Sequence, residues 1–380
     1  MWISSLTLSH IRNYSKRTFT FTSPLTIFFG PNAIGKTNIL ESIYSLSTGG
    51  PFRGEKDSDL LQWEEEVGRV SALINNAECR IKNAHGNEVS RVNIMHNENK
   101  KNTNEDEMKL ELMVTNGMIS GQKVQTKKYL VNGISRRKVD FTGHFFSVLF
   151  SPLDLELITH SPSHRRNYLN AVLIQTDASY HKHLIAYDHA LRQRNALLEA
   201  ILEGTQSRSQ LLFWNQALIE HGQYMTKARR TFIDFINETK SDNLPFRIDY
   251  DPSLMSEERL QQYADAEVAS HTTLVGPHRD DFTFQKIELL NDTVTMDVGR
   301  FGSRGQQRLA ILWLKLAEIS YIEHVTHQRP ILLLDDVFSE LDAEHQDMVA
   351  KALSFQQTII TTAEASTLSL FPDAEIVRLV

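Results

Sequence analysis

The chain has 380 residues, 41% hydrophobic and 23% charged, which suits a globular protein with a sizeable core and two lobes. A single cysteine, Cys79, excludes an internal disulfide framework and a cysteine-ligated zinc site, and reads as a small buried side chain in a reducing compartment. The net charge of −7 gives no global sign of a polyanion partner, so any nucleic-acid contact needs a local basic surface.

The opening MWISSLTLSHIRNYSKRTFTF lacks the basic start, unbroken apolar run and small-residue cleavage site of a secretion signal. No later stretch reaches the apolar length needed to cross a bilayer, so the expectation is a cytoplasmic protein with no membrane partner. Ile3 to Phe21 reads as two short strands around Arg12–Asn13–Tyr14. A strand over Leu25 to Phe29 leads through a glycine-rich turn into a helix from about Lys36 to Leu46, and Gly49–Gly50–Pro51–Phe52–Arg53–Gly54 is a loop by composition. Short alternating stretches from Gly68 to Val148 predict a mostly antiparallel sheet, interrupted by a polar loop from Asn97 to Glu107. Asn132–Gly133 is a hairpin signal, because that pair tolerates the positive φ of a type I′ turn.

Helical periodicity then takes over. Leu184, Tyr187, Leu191, Arg194, Leu198 and Ile201 form one stripe, and Trp214, Leu218, His221, Met225, Ala228, Phe232 and Phe235 form another. A break at Gly204 to Ser209 makes them two antiparallel helices with packing seams, His221 being one seam residue. Strands return after Leu274, followed by a helix from Gly305 to about His324, an apolar strand Ile331 to Leu334, and a strand from Gln357 to Thr362.

The run Gly30–Pro31–Asn32–Ala33–Ile34–Gly35–Lys36–Thr37 fits G-x-x-x-x-G-K-[ST], after an apolar strand and opening a helix. A loop of this length wraps a phosphate with backbone N–H groups, and the helix N-terminus adds its dipole. In this reading these eight positions bind ATP, with Lys36 reaching the β- and γ-phosphates and the Thr37 hydroxyl ligating Mg²⁺. Far downstream, Ile331–Leu332–Leu333–Leu334–Asp335–Asp336 is a continuously apolar strand ending in two carboxylates, as a parallel strand covered on both faces requires. Asp335 would hold Mg²⁺ through water, and Asp336 would be the general base for the attacking water or would orient it.

Gly302–Ser303–Arg304–Gly305–Gln306–Gln307, just before a helix, resembles the signature of ABC-type ATPases. In that family the signature serves the nucleotide bound by the partner subunit, which gives Ser303, Arg304, Gly305 and Gln306 a role in trans. Asp342 falls where the family's D-loop lies. Four further stretches carry a closer resemblance: Leu6–Thr7–Leu8 to Arg12–Asn13–Tyr14; Phe150 to Leu155 with Ser161–Pro162 and Arg165–Arg166; Ala190 to Leu198; and Thr273–Leu274–Val275–Gly276–Pro277–His278–Arg279–Asp280–Asp281. Together they span the chain, which resembles the RecF family of bacterial DNA replication and repair ATPases.

That resemblance implies an α/β fold, an ABC-type P-loop ATPase head with a mixed sheet plus a helical second lobe. Residues 1–150 would hold the P-loop and antiparallel sheet, 151–270 a helical arm, 271–330 the signature, and 331–380 the acidic strand and D-loop. It adds Arg12 and Asn13 to the nucleotide contacts. It also implies an ATP-dependent homodimer that clamps duplex, gapped or junction DNA, slow hydrolysis that releases it, and recombinase loading with RecO and RecR. The chain departs from common ABC patterns in its Asp–Asp pair, in lacking a clear Q-loop glutamine, and in Thr361–Thr362 at the switch position.

Lys127, Lys128, Arg136, Arg137 and Lys138 flank the hairpin, and Arg165 and Arg166 open the helical lobe. They are candidate DNA contacts, and clusters of this kind equally form solvated faces or ion pairs. His278–Arg279–Asp280–Asp281 suits either a buried polar network or a lining of the ATPase interface. A membrane transporter's ATPase subunit shares the P-loop, signature and acid pair, but the missing switch histidine and the helical insertion oppose it. A small-molecule P-loop kinase needs no signature, and a non-catalytic ATP-gated binder needs no acid pair.

Overall fold

Apolar residues facing one side of the first strands build a hairpin, β1 (Trp2–Ile11) and β2 (Tyr14–Thr20), closed at Arg12 in the left-handed region with φ 52°. The computed structural model describes the whole chain except residues 54–55, 76–106, 240–243, 289–292, 341–342 and 354. Cys79, Asp342 and residues 97–106 of the expected polar loop lie outside that description. The chain divides into two compact units, Met1–Leu153 with Glu318–Val380, and Asp154–Ala317.

In the first unit, β3 (Leu25–Phe29) and α1 (Lys36–Thr48) are followed by β4 (Val67–Asn75), β5 (Glu107–Thr115), the short β6 (Met118–Ile119) and β7 (Gln122–Lys123), β8 (Lys127–Val131), β9 (Ile134–Arg136), α2 (Lys138–Phe141) and β10 (Ser147–Phe150). One sheet is antiparallel in the order β2-β1-β4-β5-β8-β9. Ile3 and Leu6 both face its core although three residues apart, because the β1–β4 register shifts between Ile3 and Ser5. The β8–β9 turn has Asn132 and Gly133 at φ 50° and 76°, the sign a type I′ turn needs.

The antiparallel sheet stops before Val148. Ser147–Phe150 is buried at every position and pairs in parallel with Ile331–Leu334. A strand apolar on both faces belongs between covering layers, so it leaves the one-sided sheet for the parallel one.

The second unit carries α3 (Glu156–Thr159), α4 (Pro162–Thr176), α5 (Ala178–Leu202), α6 (Leu211–Glu238), β11 (Phe246–Asp251), α7 (Glu257–Gln262), α8 (Ala264–Ser270), β12 (Asp281–Glu288), β13 (Thr293–Asp297) and α9 (Val298–Phe301). The helix α10 (Arg304–Thr326) leads back to the first unit, which ends with β14 (Ile331–Asp335), α11 (Ala343–Leu353), β15 (Thr358–Thr362), α12 (Ala365–Leu370) and β16 (Glu375–Arg378). β10, β14, β15, β3 and β16 form an entirely parallel sheet in that order. α1 shares one apolar core with residues of both sheets, including Leu6, Leu112, Leu149, Leu333 and Ile359. Among the described residues, no helix is long and apolar enough to cross a membrane.

In the second unit α5 and α6 run antiparallel. Tyr224 donates to Asp177, His183 and His221 meet Nδ1 to Nδ1 at 3.0 Å, and Arg194 donates to Asn215. Tyr187, Arg194 and Leu198 of the first stripe and Leu218, Met225 and Phe232 of the second are buried, as packing seams require. Arg194 reaches Glu267 at 2.6 Å and Thr273 at 2.8 Å, and Arg229 reaches Asp280 at 2.7 Å and the Pro277 carbonyl at 2.6 Å. Asp280 also accepts from Tyr250 and the Ser253 N–H, so this stretch is a buried polar network.

Taking away one partner of a buried ion pair strands the other charge. Arg194→Met should therefore lower stability by about 3–5 kcal/mol in urea unfolding, and Arg194→Met with Glu267→Met should recover much of that loss. Equal destabilisation by the single and double variants would contradict this.

Candidate nucleotide-binding site

Parallel sheets bind ligands beyond the carboxyl ends of their strands, and the P-loop lies there, between β3 and α1. Gly30 donates to the Thr362 carbonyl at 3.3 Å, and a β-carbon at Gly30 would sit 2.9 Å from the Leu379 carbonyl oxygen. Ala33 is left-handed at φ 65°. Gly35, at φ 105°, caps α1, and a β-carbon there would lie 2.5 Å from the Asn13 amide. Only glycine meets both demands.

Lys36 folds back over the loop, its Nζ donating to the Gly30 carbonyl at 2.7 Å and the Pro31 carbonyl at 2.9 Å. Burial pushes its pKa down, and the charges of Asp336 and Asp335 oppose that shift. The Thr37 hydroxyl donates to Asp335 Oδ1 at 2.9 Å, joining residues 298 positions apart. Asp336 follows in the left-handed region at φ 54°, its N–H bonded to the Thr361 carbonyl at 3.0 Å.

Asn13 meets the loop from outside, and Arg12 braces α1 behind it. Arg12 grips Glu41 through Nε at 2.8 Å and a second nitrogen at 3.0 Å, and Asn13 donates to the Ile34 carbonyl at 2.9 Å. The Tyr14 hydroxyl reaches the Gly35 carbonyl at 3.2 Å, and its pKa is pushed up to about 12 by burial against the opposing Arg17 charge. Glu41 is wholly buried and also accepts from Arg53 at 3.2 Å. Sequence reasoning missed Glu41, Arg53 and the contacts of Thr361. For Glu41 a signal existed, since it is the one carboxylate of α1 and sits within the apolar run Ile39, Leu40 and Ile43, where it needs a partner.

The signature stands in the second unit. Asp297 caps α9 through the N–H groups of Gly299 and Arg300 at 2.8 and 3.1 Å, and Ser303 then precedes α10. Ser303 N–H donates to Gln306 Oε1 at 2.8 Å and Gln306 N–H to Ser303 Oγ at 3.2 Å, a reciprocal capping box. Ser303, Arg304 and Gly305 are exposed and Gln306 is half-buried.

The basic candidates differ in surroundings. Lys128, Arg136 and Arg137 are exposed, with Arg137 paired to Asp140 at 2.7 Å. Lys127 pairs with Asp57 and donates to the Gly49 carbonyl at 2.9 Å. Lys138 is pushed down to about 8 by burial and by Lys127, against the pull of Asp57. Arg165 is buried and bidentate to Asp281 at 2.6 and 3.1 Å, and Arg166 donates to the Asp280 carbonyl at 3.0 Å.

A P-loop on a parallel strand, a strand two places along the same sheet tipped with carboxylates and a serine-capped helix define an ABC-type ATPase head. Residues 2–378 match the RecF/RecN/SMC N terminal domain family. The chain is 33% identical to the DNA replication and repair protein RecF of Cyanothece sp., over 95% of this chain and 91% of that protein. It is 34% identical to the RecF of Lachnospira eligens, over 95% of this chain and 92% of that one. A solved structure of the recombination mediator protein RecF with ATP in the RecFOR pathway superposes with a TM-score of 0.81 at 29% identity, covering 100% of this chain and 95% of that one. The chain belongs to the RecF/RecN/SMC family, and within it to the RecF proteins.

Because Gly35 combines positive φ with a blocked β-carbon, Gly35→Ala should weaken binding of a fluorescent ATP analogue by about five- to a hundredfold, a cost of about 1–3 kcal/mol. Unchanged affinity in Gly35→Ala would contradict the geometry.

Proposed function

We propose that this chain is an ATP-dependent DNA-binding ATPase of recombinational repair and replication restart, acting as an ATP-driven dimer. The observation that carries the reading is the Thr37–Asp335 hydrogen bond at 2.9 Å, which closes the P-loop onto the acidic strand. The RecF relatives and the ATP-bound RecF structure of the RecFOR pathway support it.

ATP enters with its phosphates over the backbone of Gly30 to Thr37. Lys36 then exchanges the Gly30 and Pro31 carbonyls for phosphate oxygens, a change its fold-back already orients. Thr37 and Asp335 suit Mg²⁺, which takes hard oxygen ligands and accepts one or two protein groups beside phosphates and water. When bound, that ion neutralises charge on the phosphates. Asp336 accepts a proton from the attacking water or orients it, and the bond from the γ-phosphorus to the bridging oxygen breaks to leave ADP and phosphate. Ser303 and the start of α10 present donors to the γ-phosphate of the partner's nucleotide, as a helix N-terminus can. Arg12 and Asn13 border the nucleotide, and Asp342, six residues after Asp336 in sequence, would serve as the D-loop acid.

DNA binds across the dimer at gaps or stalled forks, hydrolysis releases it, and RecO and RecR are the partners in loading the recombinase. Of the basic candidates, the exposed Lys128 and Arg136 are best placed for phosphate contact, whereas Arg137 is held by Asp140 and Arg165 by Asp281.

Mixing Lys36→Met chains with Ser303→Arg chains tests the arrangement in trans. Each mixed dimer has one doubly damaged site and one intact site, so equal mixing should restore about a quarter of wild-type ATPase activity. No recovery at any ratio would contradict independent sites completed in trans.

A further inference from the structure

The register of the parallel sheet places Thr361 directly opposite Asp335. Thr361 is fully buried beside Ile359 and Ile360, in a strand where valine would pack equally well. A hydroxyl in such a place costs free energy unless it is hydrogen-bonded. Its single proton goes to Asp335 Oδ1 at 2.6 Å, the nearer and charged acceptor compared with the Leu334 carbonyl at 3.5 Å. The Thr37 hydroxyl donates to the same Oδ1 from the opposite element at 2.9 Å. Thr361 also accepts the Asp336 N–H, through its carbonyl at 3.0 Å and its hydroxyl at 3.2 Å, holding the left-handed residue that follows the strand.

We propose that Thr361 is a positioning residue for the divalent cation: its hydroxyl fixes the Asp335 carboxylate, and Asp335 in turn orients the Thr37 hydroxyl. The inference rests on the nucleotide-site reading above. Two donors on one oxygen stop the carboxylate rotating, so each new ion meets a preset acceptor. A Thr37 hydroxyl that spends its proton on Asp335 keeps its lone pairs for the cation. Thr361 never touches substrate and acts only through the carboxylate it holds, as groups behind a metal's direct ligands do.

The test is Mg²⁺ titration of fluorescent-ATP-analogue binding by the wild-type chain, Thr361→Val and Thr361→Ser. In Thr361→Val the half-saturating Mg²⁺ concentration should rise about tenfold or more, while nucleotide affinity in EDTA stays at the wild-type value. Thr361→Ser, which keeps the hydroxyl, should return the Mg²⁺ requirement to within about threefold of wild type. If Thr361→Val does not fold, Thr361→Cys, a far weaker donor, carries the same expectation. An unchanged Mg²⁺ requirement in the valine or cysteine variant would overturn the inference, as would equal weakening with and without Mg²⁺. A wild-type chain that binds no nucleotide would overturn the nucleotide-site reading itself, and one whose nucleotide binding ignores Mg²⁺ would overturn the placing of the cation at Thr37 and Asp335, and the inference with it.

Discussion

The parallel pairing of β14, β15 and β3 is the constraint on which the site depends. With Asp335 opposite Thr361, and Thr361 opposite Phe28, the strand ends are level, and the P-loop starts two residues beyond Phe28. One register step along either strand would turn Asp335 or Thr361 to the other face of the sheet. The hydrogen bonds from Thr37 and Thr361 to a single oxygen would then both be lost. The geometry of the candidate site is thus secured by the same apolar pairings, Leu333 with Ile359 and Ile360 with Ile27, that bury the sheet.

A second layer of support lies outside the loop. Arg12 and Arg53, both half-buried, brace the buried Glu41, with Asn13 above Gly35 and Tyr14 on its carbonyl. Gly35 is consequently fixed by its neighbours as well as by its own φ. In the second unit, Arg165, Arg194 and Arg229 each pin part of the stretch from Glu267 to Asp281. That stretch leads into β12, whose partner β13 ends at Asp297, the cap of the short helix before Ser303. The signature serine is thereby set at the end of a well-anchored path.

Much of this was legible in the sequence because it obeys short-range rules. The P-loop spacing, the unbroken apolar run before Asp335, the Asn132–Gly133 turn and the three-four seams of α5 and α6 each follow from local periodicity or turn chemistry. What stayed hidden depends on strand order. Thr361 reads as one more β-branched residue until β15 is placed between β14 and β3. Likewise Ser147–Phe150 follows directly on the antiparallel strands in sequence, yet sits in the parallel sheet. Arg165 looks like a phosphate ligand until Asp281, far along the chain, is seen to hold it in a two-pronged pair. Long charged side chains are hard to assign from sequence for this reason: their partners are set by the fold.

In the proposed function ATP joins two copies of this chain into one clamp. The most direct measurement is the molar mass in solution of the Asp336→Asn chain, by light scattering, with and without ATP and Mg²⁺. With water activation impaired and nucleotide binding retained, ATP should shift the protein from one chain to two, and EDTA should reverse the shift. An Asp336→Asn chain that binds ATP and stays strictly monomeric would contradict the clamp.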